Sequence, residues 1–227
     1  MTFMFYKKNV LLLIAAAFLL FVNCSKSNIL KGNACLSLGD YVMAEYFFEK
    51  ALTSDPLSFD ARLGMGKALL QHVIDNKNDT ILWKKALLNL ESAMNLHPHA
   101  DLNSLVSDAW YERSQLLLGH NDTLGAFNAL SRAIEINNLN ITAINSIGIL
   151  YFHQGDIDKS IILFKQAISA DSTNSPALFN LGMALWSRND YKSAHQYWLE
   201  ASKLSPDDND MVYWLAMAEK KLQESVQ

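Results

Sequence analysis

The chain has 227 residues, 50% of them hydrophobic, with 19 basic and 23 acidic side chains and a formal net charge of −4 at pH 7. That length and hydrophobic share permit a sizeable buried core, and the mild acidity disfavours nonspecific attachment to nucleic acid or anionic lipid. Two cysteines exclude a disulfide-framework fold. With four prolines, nine glycines and no low-complexity linker, one continuous helical domain is expected after the N-terminal segment.

Residues 1–24 stand apart. Lys7 and Lys8 precede an unbroken apolar run, Val10 to Val22, which is followed by Asn23 and Cys24. A basic head, a short apolar stretch and a processing site describe an export signal. The run is shorter than the roughly 20 residues a bilayer-spanning helix needs. Phe21-Val22-Asn23-Cys24 resembles a bacterial lipoprotein box, although Phe21 and Asn23 depart from the usual leucine and glycine or alanine. That resemblance implies that Cys24 is lipidated and becomes the mature N-terminus. An uncleaved anchor and ordinary secretion are the alternatives. Each buried CH₂ of an attached acyl chain contributes about 0.8 kcal/mol, and the resemblance implies more than one chain. Cleavage would remove Lys7 and Lys8 and no acid, taking the formal charge from −4 to −6. Cys35 falls in a helical apolar column and reads as core.

A first window, residues 25–58, carries Gly32, Gly39-Asp40-Tyr41, Ala44, Phe48, Ala51 and Pro56 in columns that recur further along. Asn28 and Lys31 fill columns that are apolar later, and a polar outer face is expected of a terminal unit. With little linker after Cys24, this window is expected to lie close to the membrane surface. The second window, residues 59–100, has Arg62, Met65, Gly66 and Leu69, then Trp83, Ala86, Leu90, Ala93 and Pro98. It is eight residues longer than its neighbours, the surplus lying around residues 73–80. Asp75-Asn76-Lys77-Asn78-Asp79 lacks the central glycine and the bidentate glutamate of a calcium loop, so a solvated inter-helix loop is expected. Residues 101–106 are expected to extend the next helix.

Trp110, Ser114, Leu117, Ala126, Leu130, Ala133 and Ile136 carry the third window, residues 107–140, in which Asn138 replaces proline and Arg113 an apolar residue. The fourth and fifth, residues 141–174 and 175–208, have one length and agree at Ala143/Ala177, Gly148/Gly182, Asp156/Asp190 and Ala167/Ala201. Ile144, Ile147, Gly148 and Tyr151 recur at i, i+3, i+4 and i+7, one face of a helix. Gly155-Asp156 ends that helix and caps the next, whose stripe is Ile157, Ser160, Phe164, Ala167 and Ile168. Gly148, Ser160 and Ala167 are expected where helices approach closely. Residues 209–225 form a closing helix, with Val212, Leu215, Ala216 and Met217 as its apolar side and Glu219, Lys220, Lys221 and Glu224 facing water.

A period near 34 with these columns is the signature of a helix–turn–helix repeat, and the pattern resembles the tetratricopeptide repeat (TPR) family. The resemblance implies an all-α fold, a right-handed α-solenoid of about five TPR helix pairs plus a C-terminal capping helix. It also implies that the first helices line a concave side that receives peptide segments.

No catalytic constellation emerges. His97-Pro98-His99 straddles a helix end and lacks the i, i+4 spacing of ligands on one helix face. Neither a glycine-rich phosphate loop nor a G-x-S-x-G elbow is present. No enzyme activity, metal, cofactor, nucleic acid or small-molecule substrate is therefore expected. Helical spacing and the geometry implied by the resemblance nominate a groove row. It comprises Asp108, Tyr111, Gln115 and Leu118; Thr142, Asn145, Ile149 and Phe152; Pro176, Phe179, Met183 and Trp186; and Tyr213 with Met217 on the closing helix. Aromatic side chains and Met are enriched in interface cores, and Trp and Tyr are common hot spots. Lys67 and Asn180 alone do not rebuild the lysine and asparagine clamp of repeats that grip a C-terminal carboxylate. The expected function is a non-catalytic interaction scaffold, lipid-anchored in a bacterial envelope and binding a partner segment in its groove. In plan it resembles the repeat lipoproteins of outer-membrane protein insertion, pilus assembly or peptidoglycan-enzyme recruitment. The alternative is a periplasmic chaperone or secretion factor that grips exported chains. Ser25 after Cys24 gives no inner-membrane retention signal, which favours the outer membrane, facing the periplasm.

Overall fold

The structure, a computed structural model, describes residues 24–75 and 80–224. The export-signal residues 1–23, residues 76–79 of the long second window, and Ser225 lie outside them. The described residues form helices and short connections, with no strand among them. In chain order the helices are α1 (residues 24–37), α2 (Tyr41–Ser54), α3 (Phe59–Asp75), α4 (Thr80–Leu96), α5 (Ala100–Gly119), α6 (Thr123–Ile136), α7 (Ile141–His153), α8 (Ile157–Ala170), α9 (Ser175–Ser187), α10 (Tyr191–Leu204) and α11 (Asn209–Glu224). Where the sequence suggests one continuous domain, the helices gather into two compact units that divide inside α5, between Ala109 and Trp110.

The helix boundaries follow from local chemistry. Gly39, Asn121, Gly155 and Asn189 adopt positive φ of 76°, 60°, 83° and 63°. These left-handed turns are open to glycine and, at modest cost, to asparagine. Each is followed by an aspartate that starts the next helix. Asp40, Asp122, Asp156 and Asp190 accept hydrogen bonds from the backbone N–H of Met43, Gly125, Lys159 and Ser193 at 3.1, 2.8, 3.3 and 3.2 Å. Asn140 and Asn174 cap α7 and α9 in the same way, each at 3.0 Å. These bonds satisfy amides that a helix start leaves unpaired.

In four of the five pairs, a glycine on the first helix makes room for a large side chain on the second. A Cβ on Gly32 would stand 2.7 Å from the Phe48 ring, one on Gly148 2.6 Å from the Phe164 ring, and one on Gly182 2.3 Å from Trp198 Nε1. The partner lies sixteen residues on in all three. In the second pair Gly66 faces Leu90, at 2.7 Å, and the interval is twenty-four. Gly148 and Gly182 thus occupy equivalent places. In the third pair Ser114 is fully buried sixteen residues before the equally buried Leu130. A mid-helix glycine costs about 0.8–1 kcal/mol relative to alanine, whereas burying a phenylalanine side chain gains about 1.5–3 kcal/mol, so the close approach wins.

In the C-terminal unit the pairs stack in order, α6 on α7, α8 on α9 and α10 on α11, and α7 also touches α9. Gly148, Ser160 and Ala167 are all buried at the contacts. In the N-terminal unit Ala44, Phe48 and Ala68 form a core against which Ile29, Cys35, Leu36 and Met65 pack.

Three expectations need correction. Of the loop expected over 73–80, residues 73–75 continue α3 and Thr80 opens α4, while 76–79 lie outside the described residues. α3 and α4 have 17 residues each, against 13 in α7 and 14 in α8. Val73 is fully buried, and helix extension satisfies backbone groups that a loop would leave to water. In α11 the buried side is Met211 and Ala218, with Trp214 and Leu215 half-buried, whereas Val212 is 54% exposed and Ala216 exposed. The docking stripe is therefore i, i+3, i+4, i+7 from Met211, a different phase from the expected Val212, Leu215, Ala216 and Met217. Lastly, the terminal helix α1 does not present a purely polar outer surface. Asn28 is buried, its amide nitrogen 3.7 Å from Cys24 Sγ, while Leu30 is 71% exposed, as is Leu38 in the turn that follows, at 83%.

Candidate functional site

In the C-terminal unit, α7 and α9 each turn one stripe inward and leave a second stripe half-covered. On α7, Ala143, Ile144, Ile147, Gly148 and Leu150 are buried, whereas Asn145, Ile149 and Phe152 are half-buried. On α9 the inward stripe is Ala177, Leu178, Leu181, Gly182, Ala184 and Leu185, and Phe179, Met183 and Trp186 are half-buried. Tyr111, Gln115 and Leu118 continue the same i, i+4, i+7 spacing on α5, with Gln115 exposed. Thr142 and Pro176 head their rows and are exposed, while Asp108 belongs to the N-terminal unit. On α11 Tyr213 is 57% exposed and Met217 half-buried. None of the nominated side chains is fully buried.

Two polar links tie neighbouring first helices together. The Asn180 amide donates to Asn145 Oδ1 at 3.1 Å. The Ser146 hydroxyl hydrogen-bonds the Tyr111 phenol, whose pKa is pushed up by burial and by nearby Glu112, with the Ser146 bond opposing. Tyr111 therefore remains a neutral phenol near pH 7.

The aromatic end of the row is set by rings behind it. Trp198 is fully buried and donates its indole N–H to the Phe179 carbonyl at 3.0 Å. Trp186 lies 4.7 Å from Tyr191 and 5.8 Å from both Trp198 and Trp214, and Trp198 and Trp214 are 5.6 Å apart, centroid to centroid. Tyr213 stands edge-on to Trp214 at 5.4 Å. Such pairs contribute about 0.5–1.5 kcal/mol each beyond their buried area. Trp186 is thus both a surface side chain and part of the joint between α9, α10 and α11. Sequence reasoning missed Trp214 and the pairing roles of Ser146 and Asn180. The i, i+3, i+4, i+7 stripe from Met211 was the signal for Trp214. No sequence signal marks the polar links, because their partners sit 35 residues apart on different helices.

Elsewhere, His97 stands edge-on to Phe59 at 5.1 Å, and His99 accepts from the Asp101 backbone N–H at 3.3 Å. Among the described residues no three His, Cys, Asp or Glu side chains gather to hold a metal, and no helix is long and apolar enough to cross a membrane.

Residues 175–208 match one tetratricopeptide repeat family model, and residues 25–56 and 141–174 match another. These segments are tetratricopeptide repeats. Among solved structures the chain is similar to the MamA protein, with 22% identity over 81% of this chain and 92% of that one and a TM-score of 0.55. It is similar also to YrrB, a TPR protein with an unusual peptide-binding site, at 21% identity, 85% and 90% coverage and a TM-score of 0.54. A third is PilF of Pseudomonas aeruginosa, at 14% identity, 90% and 87% coverage and a TM-score of 0.53. At these identities the likeness is one of fold. No curated protein matches the chain in sequence. TPR folds are typically non-catalytic interaction scaffolds, and the all-α TPR fold that the sequence predicts is the one observed.

Proposed function

We propose that the chain is a lipid-anchored, non-catalytic scaffold of a bacterial envelope, which binds a segment of a partner protein along the first-helix row of its C-terminal unit. The observation that carries this reading is the row Tyr111, Ile149, Phe152, Phe179, Met183 and Trp186 on successive first helices. Each of these side chains is half-buried, and the Phe179 and Trp186 end is backed by the rings of Trp198 and Trp214. Side chains already ordered lose little further entropy on binding. YrrB carries a peptide-binding site on a similar fold, which supports a peptide as ligand. For the anchor, the support is the lipoprotein-like box ending at Cys24, an exposed residue at the start of described α1.

Phe152 is the cleaner probe, because Trp186 also joins three helices. Phe152→Asp should abolish co-capture of a stoichiometric partner from detergent-solubilised membranes while leaving the circular dichroism melt within a few degrees of wild type. Unchanged capture would refute the groove. Many co-captured exported chains in place of one partner would favour the chaperone reading. A clickable fatty-acid analogue should label the wild type and not Cys24→Ser, and Cys24→Ser should leave the membrane fraction. Label retained in Cys24→Ser would refute the anchor.

A further inference from the structure

Along α1, Cys24, Ser27, Lys31 and Ala34 recur at i, i+3, i+7 and i+10 and so share one face of the helix. All four are exposed, as is Leu30 beside them. The columns of Ser27, Lys31 and Ala34 are closed further along the chain. Ala143, Ile147 and Leu150 on α7 are buried, and so are Ala177, Leu181 and Ala184 on α9. On α9 that face packs with Ile144, Ile161, Phe164 and Ala167 of the preceding pair. In α1 the same stacking face is open, and the cysteine of the lipoprotein-like box stands on it. The chain has no slack there: Ser25, next to Cys24, is buried, its hydroxyl donating to the Ala51 carbonyl at 3.4 Å. Acyl chains on Cys24 therefore leave the fold directly from this face.

We propose that the bilayer surface holding Cys24 closes this face, with Leu30 in the headgroup layer and Lys26, Lys31 and Lys50 against anionic phospholipid. The proposal rests on the anchored reading and adds to it that the N-terminal pair lies flush on lipid. Charge selects lipid over another helix pair. α1 carries Lys26 and Lys31 and no acid, in a chain whose net charge is −4. Lys31 stands where α7 and α9 have Ile147 and Leu181, and burying an ammonium against apolar helices costs its hydration. The other cation of that column, Arg113, is half-buried, and burial lowers its pKa. A headgroup layer instead offers phosphate oxygens to the ammonium and a wet apolar boundary to its stem. The Lys31 ammonium lies over the Phe47 ring at 5.7 Å and that of Lys50 over the Tyr46 ring at 4.4 Å, and the two rings are 5.3 Å apart. Such aromatic bodies with polar tips are characteristic of the membrane–water interface. Among the described residues no helix is long and apolar enough to cross a membrane, so the contact is with its surface.

The test reconstitutes the membrane-extracted chain, expressed at full length, into phosphatidylethanolamine–phosphatidylglycerol vesicles that contain a lipid with a nitroxide on its headgroup. Cys35→Ala leaves one added cysteine to carry a fluorophore. Flotation with the vesicles reads the anchor, and quenching reads the face. A label at Ala34→Cys is expected to be quenched several-fold more than one at Gln71→Cys, an exposed residue of α3, which packs on the covered side of α2. Leu30→Asp combined with Lys31→Glu, both at exposed positions that leave the fold intact, should bring the Ala34 label down to the Gln71 level while flotation persists. Exchanging phosphatidylglycerol for phosphatidylcholine should give part of the same loss. Equal quenching at the two positions in a chain that floats would overturn this proposal alone. A chain that does not float would overturn the anchor and the proposal with it. Transfer of excitation between Ala34-labelled copies, in place of quenching by lipid, would give the face to a second chain and overturn the proposal as well.

Discussion

The second and fifth helix pairs solve one packing problem with fillers of different size. In the fifth, Gly182 admits the Trp198 indole, which bonds the Phe179 carbonyl and continues into Trp186 and Trp214. In the second, Gly66 admits only Leu90, and both helices run to 17 residues. A ring with a polar handle joins three helices and orders surface side chains beside it. An aliphatic filler joins two, and longer helices supply further contact. The fifth pair is consequently expected to be the more sensitive to substitution at its filler, and the second to tolerate it better.

The largest expected effect is at that filler. Trp198→Ala should destabilise by about 3–5 kcal/mol and raise the hydrogen exchange of α9, α10 and α11 together, whereas Leu90→Ala should cost about 2–5 kcal/mol and act on α3 and α4. Equal exchange in both regions for both variants would break the contrast. Next come the glycines. Gly182→Ala places a methyl 2.3 Å from a rigid indole, and overpacking costs about 1–3 kcal/mol, more than the helix propensity regained. Gly66→Ala meets Leu90 side-chain atoms at 2.7 Å and its backbone nitrogen at 3.1 Å. The leucine can turn while the backbone cannot, so a smaller loss is expected, read from denaturant midpoints. Replacing Trp198 by leucine should make Gly182→Ala less costly.

Acid sharpens the comparison further. The Asp156 carboxyl that caps α8 is held below its ordinary value of 3.8, first by the Lys159 side-chain hydrogen bond. Asp171 is lowered first by the Thr173 hydroxyl. A depressed folded pKa contributes stability that is present above the unfolded value and lost as pH falls through the folded one. The protection of α8 should therefore decline below about pH 4, and less steeply in Asp156→Asn, where of the two only Asp171 still titrates. The start of α3, where Ser58 Oγ accepts from the Ala61 N–H at 3.4 Å, has a cap that does not titrate. The smallest effect is expected for Gly119→Ala at the end of α5, where a Cβ would meet nothing within 4 Å. A gain of a few tenths of a kcal/mol up to about 1 kcal/mol is predicted there, measured by thermal melting.

Much of the architecture was legible because it rests on short-range rules. The glycine-to-filler interval, the turn followed by aspartate, and the alanines at contacts are written as spacings, and each acts within one helix pair. The candidate row on α5, α7 and α9 was legible for the same reason, as i, i+4 and i+7 steps on helices whose inward stripe was already evident. Less was readable where a helix has several apolar residues and one neighbour. In α11 both Met211 and Val212 begin plausible stripes, and docking against α10 chose Met211, Trp214 and Ala218. Val73 was misread in the same way, since it stands just before a polar Asn and Asp run and yet is drawn into the core.

From its own residues the chain determined helices, caps, repeat length and the glycine positions, because these depend on backbone dihedrals and neighbours a few turns away. Only the tertiary structure decided that Trp186, Trp198 and Trp214 meet and that Asn180 donates to Asn145. Those side chains lie far apart in sequence, and what brings them together is the packing of whole helices, which no local periodicity encodes.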